Sequence, residues 1–248
     1  MLYKSVFAIG DSFTRGDELA DCPEQAIHPY RASFSRQTWP ALIAKSLNID
    51  YSAEAVGGRG NQWISFITGA NSIDTSDFNG TVKQDTFLIV NWSWFERFDY
   101  IDSHRDDTWW TTHPHHDNKA DHYFYKNIDN DIWSLHRNLQ QMHSTIQLLK
   151  QNNIKFVMTC LDPGYTNTLG DIRPDSYGKD KIHGTEASWI TAIDQLHKKV
   201  VPHILEFDGQ TFLEWSHSNN FKCGPGGHPL EDAHAAAADY ILVNKLHL

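Results

Sequence analysis

Ala8-Ile9-Gly10-Asp11-Ser12-Phe13-Thr14-Arg15-Gly16 is the stretch on which the fold of this chain turns. The apolar run Val6-Phe7-Ala8-Ile9 leads into it and reads as a short buried strand, which Gly, Asp and Ser then stop. In an open α/β sheet ligands gather at the carboxyl ends of the strands, so a serine just past the first strand stands where chemistry is done. The same residue types cap helices and make turns, and Gly-Asp-Ser alone favours that plainer reading.

Working outward, 248 residues suit one α/β domain spanning 1–248, with an insertion at about 98–130. A hydrophobic content of 40% and 21% charged residues are ordinary for a globular chain. The net charge of −10, without a Lys/Arg-rich patch, argues against a nucleic-acid partner. No run approaches the roughly 18 apolar residues of a spanning helix, so no membrane partner is expected. Met1 leads directly into the first strand without a signal-peptide pattern, so cytoplasmic synthesis is expected; a virion component would show the same features. Cys22, Cys160 and Cys223 are an odd count with no metal-like spacing, and free thiols are the default.

Asp17 to Ser35 carries Pro23 and Pro29 and reads as an irregular excursion. Thr38-Trp39-Pro40 opens a helix with Leu42, Ile43 and Leu47 at helical spacing, closed by Asn48. Ile49 to Val56 reads as the second strand, ending in Gly57-Gly58-Arg59-Gly60-Asn61 before a helix from Gln62 to Thr68. Asp85 to Asn91 is a third, nearly all-apolar strand, as one covered on both faces should be, and it runs into Trp92-Ser93-Trp94-Phe95-Glu96-Arg97. Residues 98–130 crowd Trp109, Trp110, His113, His115, His116 and Asp117 together, and three readings stay open: an aromatic lid that stacks on sugars, a metal site, or a solvated loop. Ile132, Leu135, Leu139, Met142, Ile146 and Leu149 then mark one face of a long helix. Ile154 to Leu161 is a fourth strand that places Asp162 at its carboxyl end, where it either lines the cleft or starts an Asp-Pro-Gly turn. A helix from Glu186 to Val200, a fifth strand from His203 to Phe207 and an alanine-rich helix from Ala235 complete the pattern.

Gly-Asp-Ser-x-Thr-x-Gly after an N-terminal strand, with His228-Pro229 leading into a C-terminal helix, resembles the SGNH (GDSL) hydrolase family from Phe7 to Ile241. The resemblance implies a three-layer α/β/α sandwich of flavodoxin-like type around a mostly parallel five-stranded sheet. It also implies an ester hydrolase acting through an acyl-enzyme, without metal or organic cofactor. Ser12 would be the nucleophile and His228 its base, with the oxyanion held by the N–H groups of Ser12 and Gly58. Asp11 and Asn61 would lie at the substrate, although Asn61, capping the following helix, has shaping the loop as its plainer role.

The family's third block, Gly-x-Asn-Asp, is not reproduced: Trp94 occupies the Asn position, leaving Ser93 or Asn91 as the third oxyanion donor. Phage-type relatives carrying Trp-Ser/Thr with a following Arg favour Ser93. Arg97 would then hold an acidic substrate group or form a structural ion pair. The fifth block, Asp-x-x-His-Pro, lacks its acid too, since position 225 is Pro. Asp232, Asp208 or a backbone carbonyl of the Gly224 to Gly227 loop could orient His228, or the pair could shift to Glu231-x-x-His234. Expected substrates are small-molecule or glycan esters, a carbohydrate O-acetyl ester above all. The other function classes in play are a glycan-binding module that has lost its chemistry, on a virion for example, and a metal-dependent hydrolase using the His-rich insertion.

Overall fold

In the computed structural model the first strand runs through the middle of the molecule. The structure describes residues 3–22, 34–72, 82–102, 108–114, 119–129, 131–166 and 186–244. The chain forms β1 (Ser5–Gly10), α1 (Ser12–Arg15), α2 (Trp39–Leu47), β2 (Asp50–Ala55), α3 (Asn61–Ser72) and β3 (Thr86–Trp92). There follow β4 (Phe98–Asp102), β5 (Thr108–Thr112), α4 (Lys119–Asn127), α5 (Asp131–Gln151), β6 (Lys155–Cys160), α6 (Glu186–Val200), α7 (Phe212–Ser218) and α8 (Glu231–Asn244). No helix among the described residues is long and apolar enough to cross a membrane.

The main sheet is parallel throughout, in the order β2-β1-β3-β6. Successive strand residues point to opposite faces, which sorts the core into two layers. Phe7, Ile9, Leu88, Val90 and Trp92 meet α3, α5 and α6 on one side. Val6, Ala8, Phe87 and Ile89 meet α2, α7 and α8 on the other. Every residue of β3 is buried, as expected for an inner strand covered on both faces. Leu135, Leu139, Met142, Ile146 and Leu149 of α5 are buried as their spacing requires.

The expected three-layer α/β/α arrangement is therefore present, with one strand fewer. His203 to Phe207 does not form the fifth strand: Pro202 lies in a 3-10 turn, and Phe207 N–H already turns back to the Gln210 carbonyl at 2.8 Å. Between those two turns only Ile204 pairs, in a single parallel bridge to Met158. The 98–130 insertion also differs from a long loop. Its described part is the antiparallel hairpin β4–β5 followed by α4, with Phe98 stacked on Phe124 at 5.0 Å and Arg137 of α5 lying 4.8 Å from the Phe98 ring. Of the His113–Asp117 run on which the metal reading rested, His115, His116 and Asp117 lie outside the described residues.

His234 shows how the α2–α8 layer is locked. Its Nδ1 accepts the Trp39 N–H at 3.1 Å, satisfying one of the open donors at the start of α2, and the ring packs 4.9 Å from Phe212. Burial pushes its pKa down to about 3, aided by the neighbouring His228 and opposed by a hydrogen bond to Pro229. A group that folds neutral must charge in acid. Stability is therefore expected to be complete above the unfolded histidine pKa near 6.5 and to fall on the order of 4 kcal/mol as pH drops toward 3. Urea unfolding across that range tests this: His234→Asn, which keeps an acceptor but cannot titrate, should flatten the slope, and an equal slope in both proteins contradicts it.

Candidate active site

The order β2-β1-β3 makes the edge beyond β1 and β3 the point where the strand order reverses, and the crevice there is where such sheets bind ligands. β1 feeds directly into that crevice. Asp11 Oδ1 accepts the Phe13 N–H at 3.1 Å and so starts α1, a single turn that begins at Ser12 and is closed by left-handed Gly16. The cap reading and the chemical reading of Asp11-Ser12 thus describe the same turn. Asp11 is the cap and makes no room for a substrate contact, being completely buried.

The loop after β2 lies against this turn, held to it by Val56 N–H on the Gly10 carbonyl at 3.2 Å. Gly58 has a φ of +78°, which glycine alone adopts freely, and a Cβ built on it meets nothing within 4 Å. Its outer side is therefore open to a ligand.

The loop after β3 is organised by Asp11 and Arg97. Arg97 Nη1 reaches Asp11 Oδ2 at 3.0 Å, Ser93 Oγ at 2.7 Å and the Arg59 carbonyl at 3.1 Å. Ser93 Oγ donates its single proton to Asp11 Oδ2 at 2.9 Å, so Ser93 has none left for an oxyanion, contrary to expectation. Arg97 is likewise the structural ion pair and not the holder of a substrate anion. Asn91, the other proposed donor, sits within β3 with its side-chain Oδ1 accepting from the Thr159 hydroxyl at 2.7 Å. Trp94 is half-buried and belongs to neither apolar core layer.

Two further residues expected at the substrate are fasteners. Asn61 is fully buried; it accepts the Ser93 N–H at 2.8 Å and donates to Asn138 at 2.9 Å. Asp162 accepts the N–H groups of Gly164 at 2.8 Å and Phe95 at 3.3 Å, fixing the Trp94–Phe95 segment to the end of β6. Burial pushes its pKa up to about 7 against the pull of those two donors.

The His228 loop closes the crevice from the C-terminal side, folded by Gly224 N–H on the His228 carbonyl at 2.9 Å. The imidazole lies 4.8 Å from the ring of Phe13, the residue after Ser12. Its Nδ1 stands 2.8 Å from Glu18 Oε2, a carboxylate 210 residues distant in sequence that sequence reasoning missed. Glu18 also accepts the N–H groups of Gly226 at 2.7 Å and His228 at 3.2 Å. Partial burial pushes the Glu18 pKa up, but the Gly226 N–H and the His228 ring and N–H outweigh it and leave the carboxyl below its ordinary value. A Cβ on Gly224 would come within 2.6 Å of that carboxyl group, which explains a glycine there.

The acids proposed earlier are elsewhere. Asp208 bonds the Trp215 indole N–H at 3.3 Å, and Asp232 is exposed at the start of α8. The shifted pair fails as well: Glu231 accepts the Ala20 N–H at 2.8 Å, and His234 is spent on Trp39. Glu231 does serve the site indirectly, because Ala20 belongs to the loop that presents Glu18. Among the described residues no group of three or more His, Cys, Asp and Glu could hold a metal.

The profile of the family described as GDSL-like Lipase/Acylhydrolase matches residues 6–241. No curated protein sequence matches the chain. Among solved structures it is similar to a carbohydrate esterase family 2 enzyme plus carbohydrate binding domain from Corynascus thermopiles (Myceliophthora fergusii), at 18% identity and a TM-score of 0.46. That alignment covers 96% of this chain and 64% of the other, so the chain spans less than two thirds of that protein's length. It is also similar to an acetyl xylan esterase from the rumen bacterium Butyrivibrio proteoclasticus, at 15% identity and a TM-score of 0.43, over 97% of this chain and 64% of that one. A psychrotrophic esterase from Pseudoalteromonas sp. matches at 8% identity and a TM-score of 0.47, over 96% and 94% of the two chains.

The Asp11–Arg97 pair yields a direct test. Arg97→Met strands a buried carboxylate and should cost roughly 3–5 kcal/mol in urea unfolding. Combining it with Asp11→Asn should cost clearly less than the two single changes added together. Strict additivity would mean that the two charges do not depend on one another.

Proposed function

The chain belongs to the GDSL-like lipase/acylhydrolase family, and from that membership and the crevice geometry we propose that it is a serine ester hydrolase working through Ser12, His228 and Glu18. The observation that carries the reading is the Glu18 carboxylate on His228 Nδ1 at 2.8 Å, with the imidazole packed beside the Ser12 turn. A carboxylate there keeps the proton on Nδ1 and leaves Nε2 as the base.

In the proposed reaction Ser12 Oγ bonds to the ester carbonyl carbon as its proton passes to His228 Nε2. Negative charge collects on the former carbonyl oxygen, where the N–H groups of Ser12 and Gly58 receive it. Collapse breaks the bond to the alcohol oxygen, which takes the proton from Nε2. Water then repeats the cycle on the acyl-enzyme, giving up a proton to Nε2 and releasing the acid and free Ser12. Glu18 stabilises the imidazolium that forms twice per turnover and stays ionised throughout.

For the alcohol we propose a carbohydrate, with an O-acetyl ester as the bond cleaved. Tyr100 and Trp110 face each other across the hairpin and are both exposed. Arg59, the residue after Gly58, donates to the Trp109 carbonyl at 2.6 Å, so this aromatic surface borders the crevice. Aromatic faces of this kind suit the apolar face of a sugar ring. The binding-module alternative rested on the missing acid at position 225 and the missing third-block Asn; Glu18 on His228 speaks against the first ground, while Ser93, bonded to Asp11, does not fill the second.

Hydrolysis of p-nitrophenyl acetate by the wild type, abolished in Ser12→Ala, is the expected result; no turnover, or equal turnover in both, sinks the reading. Glu18→Gln should lower kcat roughly 10³–10⁴-fold while the protein remains folded. Trp110→Ala should raise KM for an acetylated oligosaccharide more than for p-nitrophenyl acetate, and an identical change for both would remove the carbohydrate from the proposal.

A further inference from the structure

The loop that carries Gly58 is held at its start by the Val56 N–H on the Gly10 carbonyl at 3.2 Å. It joins β2 to α3, and the first N–H groups of a helix have no partner within the helix. Here one of them, the Trp63 N–H, and the Gly60 N–H just before the helix are taken by a residue of the inserted hairpin. Asp99 Oδ1 accepts the Gly60 N–H at 2.9 Å, and Asp99 Oδ2 accepts the Trp63 N–H at 2.9 Å. Thr111 of the opposite strand donates to the same carboxylate. In return, the Gln62 side chain accepts the Asp99 N–H at 2.9 Å. The arrangement is a capping box built between two elements, the helix giving one half and the hairpin the other.

Two tethers of Arg59 run the same way. Arg59 donates to the Trp109 carbonyl, and the Arg59 carbonyl accepts from Arg97. Arg59, Gly60 and Trp63 are thus each tied to residues 97–109, while Asn61 between them is tied to Ser93, Asn138 and Tyr165. Asp99 itself is only 3% exposed, too deep to meet a substrate.

We infer that Asp99 is a positioning residue for catalysis, and that the inserted hairpin braces the oxyanion loop by holding the first donors of α3 through this one carboxylate. The inference rests on the acyl-transfer reading for its kinetic consequence and on hydrogen bonds alone for its structural one. An oxyanion donor counts only when charge has developed, so a displaced Gly58 N–H slows the chemical step and leaves substrate binding nearly untouched. A misplacement near 1 Å is enough to cost about 10²-fold.

The test uses the full chain with Asp99→Ala and Asp99→Asn. In Asp99→Ala, kcat for p-nitrophenyl acetate should fall about 30- to 100-fold with KM within about threefold, at a temperature where circular dichroism shows native structure. Amide hydrogen exchange at residues 58–63 should quicken at least about tenfold while the amides of β1 stay protected. Asp99→Asn, which keeps one carbonyl acceptor, should fall between wild type and Asp99→Ala on both readouts. Unchanged exchange at residues 58–63 overturns the brace. So does unchanged kcat, or a kcat loss fully matched by a smaller fraction of titratable Ser12. Should Asp99→Ala fail to fold, Thr111→Val takes its place, with a several-fold loss of kcat and faster loop exchange expected, and no change in either overturning the brace. If wild type and Ser12→Ala turn over alike, the hydrolase reading falls, and the exchange measurement alone decides the brace.

Discussion

A single buried ion pair, Asp11 with Arg97, sets where three loops of the crevice can lie. Asp11 is completely buried, so its charge has lost its water and depends on the guanidinium 3.0 Å away. One nitrogen of Arg97 also meets Ser93 and the Arg59 carbonyl, and the other oxygen of Asp11 starts the Ser12 turn. The turn after β1, the loop after β2 and the loop after β3 are thereby referred to one point. Buried pairs of this kind contribute little net stability against apolar substitutes, but they leave few alternative arrangements for the groups they join. For a site that needs a hydroxyl, an imidazole and a backbone N–H from distant parts of the chain in register, that restriction is what the pair supplies.

The acid has a second, separate anchor. Triad chemistry requires a carboxylate at the imidazole Nδ1 and is indifferent to its position in the sequence. In the proposed triad that carboxylate is Glu18, six residues after Ser12, and two N–H groups of the 226–228 segment and the His228 ring all converge on it. Glu231 of α8 holds the neighbouring Ala20 from behind. The His228 loop and the Ser12 loop are consequently joined at their tips as well as across the sheet, and the serine and the acid travel together on one short excursion of the chain.

What could be read from the sequence follows from the range of the forces involved. The four strands of the main sheet and α5 were legible because burial imposes a period of two or of 3.6 on apolar residues, and the turn at Gly10 to Gly16 because a strand must end there. Ser12, Gly58 and His228 stand out in the sequence through local backbone demands and family resemblance, and their catalytic roles are proposed on that ground. Ser93, Asn61, Arg97 and Asp162 stand at the strand ends, but their hydrogen bonds go to neighbouring loops, and a residue's type does not show whether a neighbouring loop has already used its proton or lone pair. Glu18 and Asp99 left almost no local signal, since each acts on a partner brought near only by the fold. The fifth strand failed for a related reason: Pro202 and the Phe207 turn limit it to one bridge, a constraint that apolar pattern does not express.

The hairpin illustrates how a five-residue strand can serve two ends. Because side chains alternate along β4, Asp99 turns inward to the start of α3 while Tyr100 turns outward beside Trp110. A shift of one residue in register would exchange these faces, placing an aromatic ring against the helix N–H groups and a carboxylate in solvent. The register is therefore pinned from both sides: by the Asp99–Gln62 exchange on the inner face and by Phe98 stacked on Phe124 at the hairpin's base. Whatever covers the outer aromatic pair must consequently press on the same strand that secures the Gly58 loop. In the proposed reaction, recognition at the rim and charge stabilisation in the crevice would then share one element and could not be altered independently.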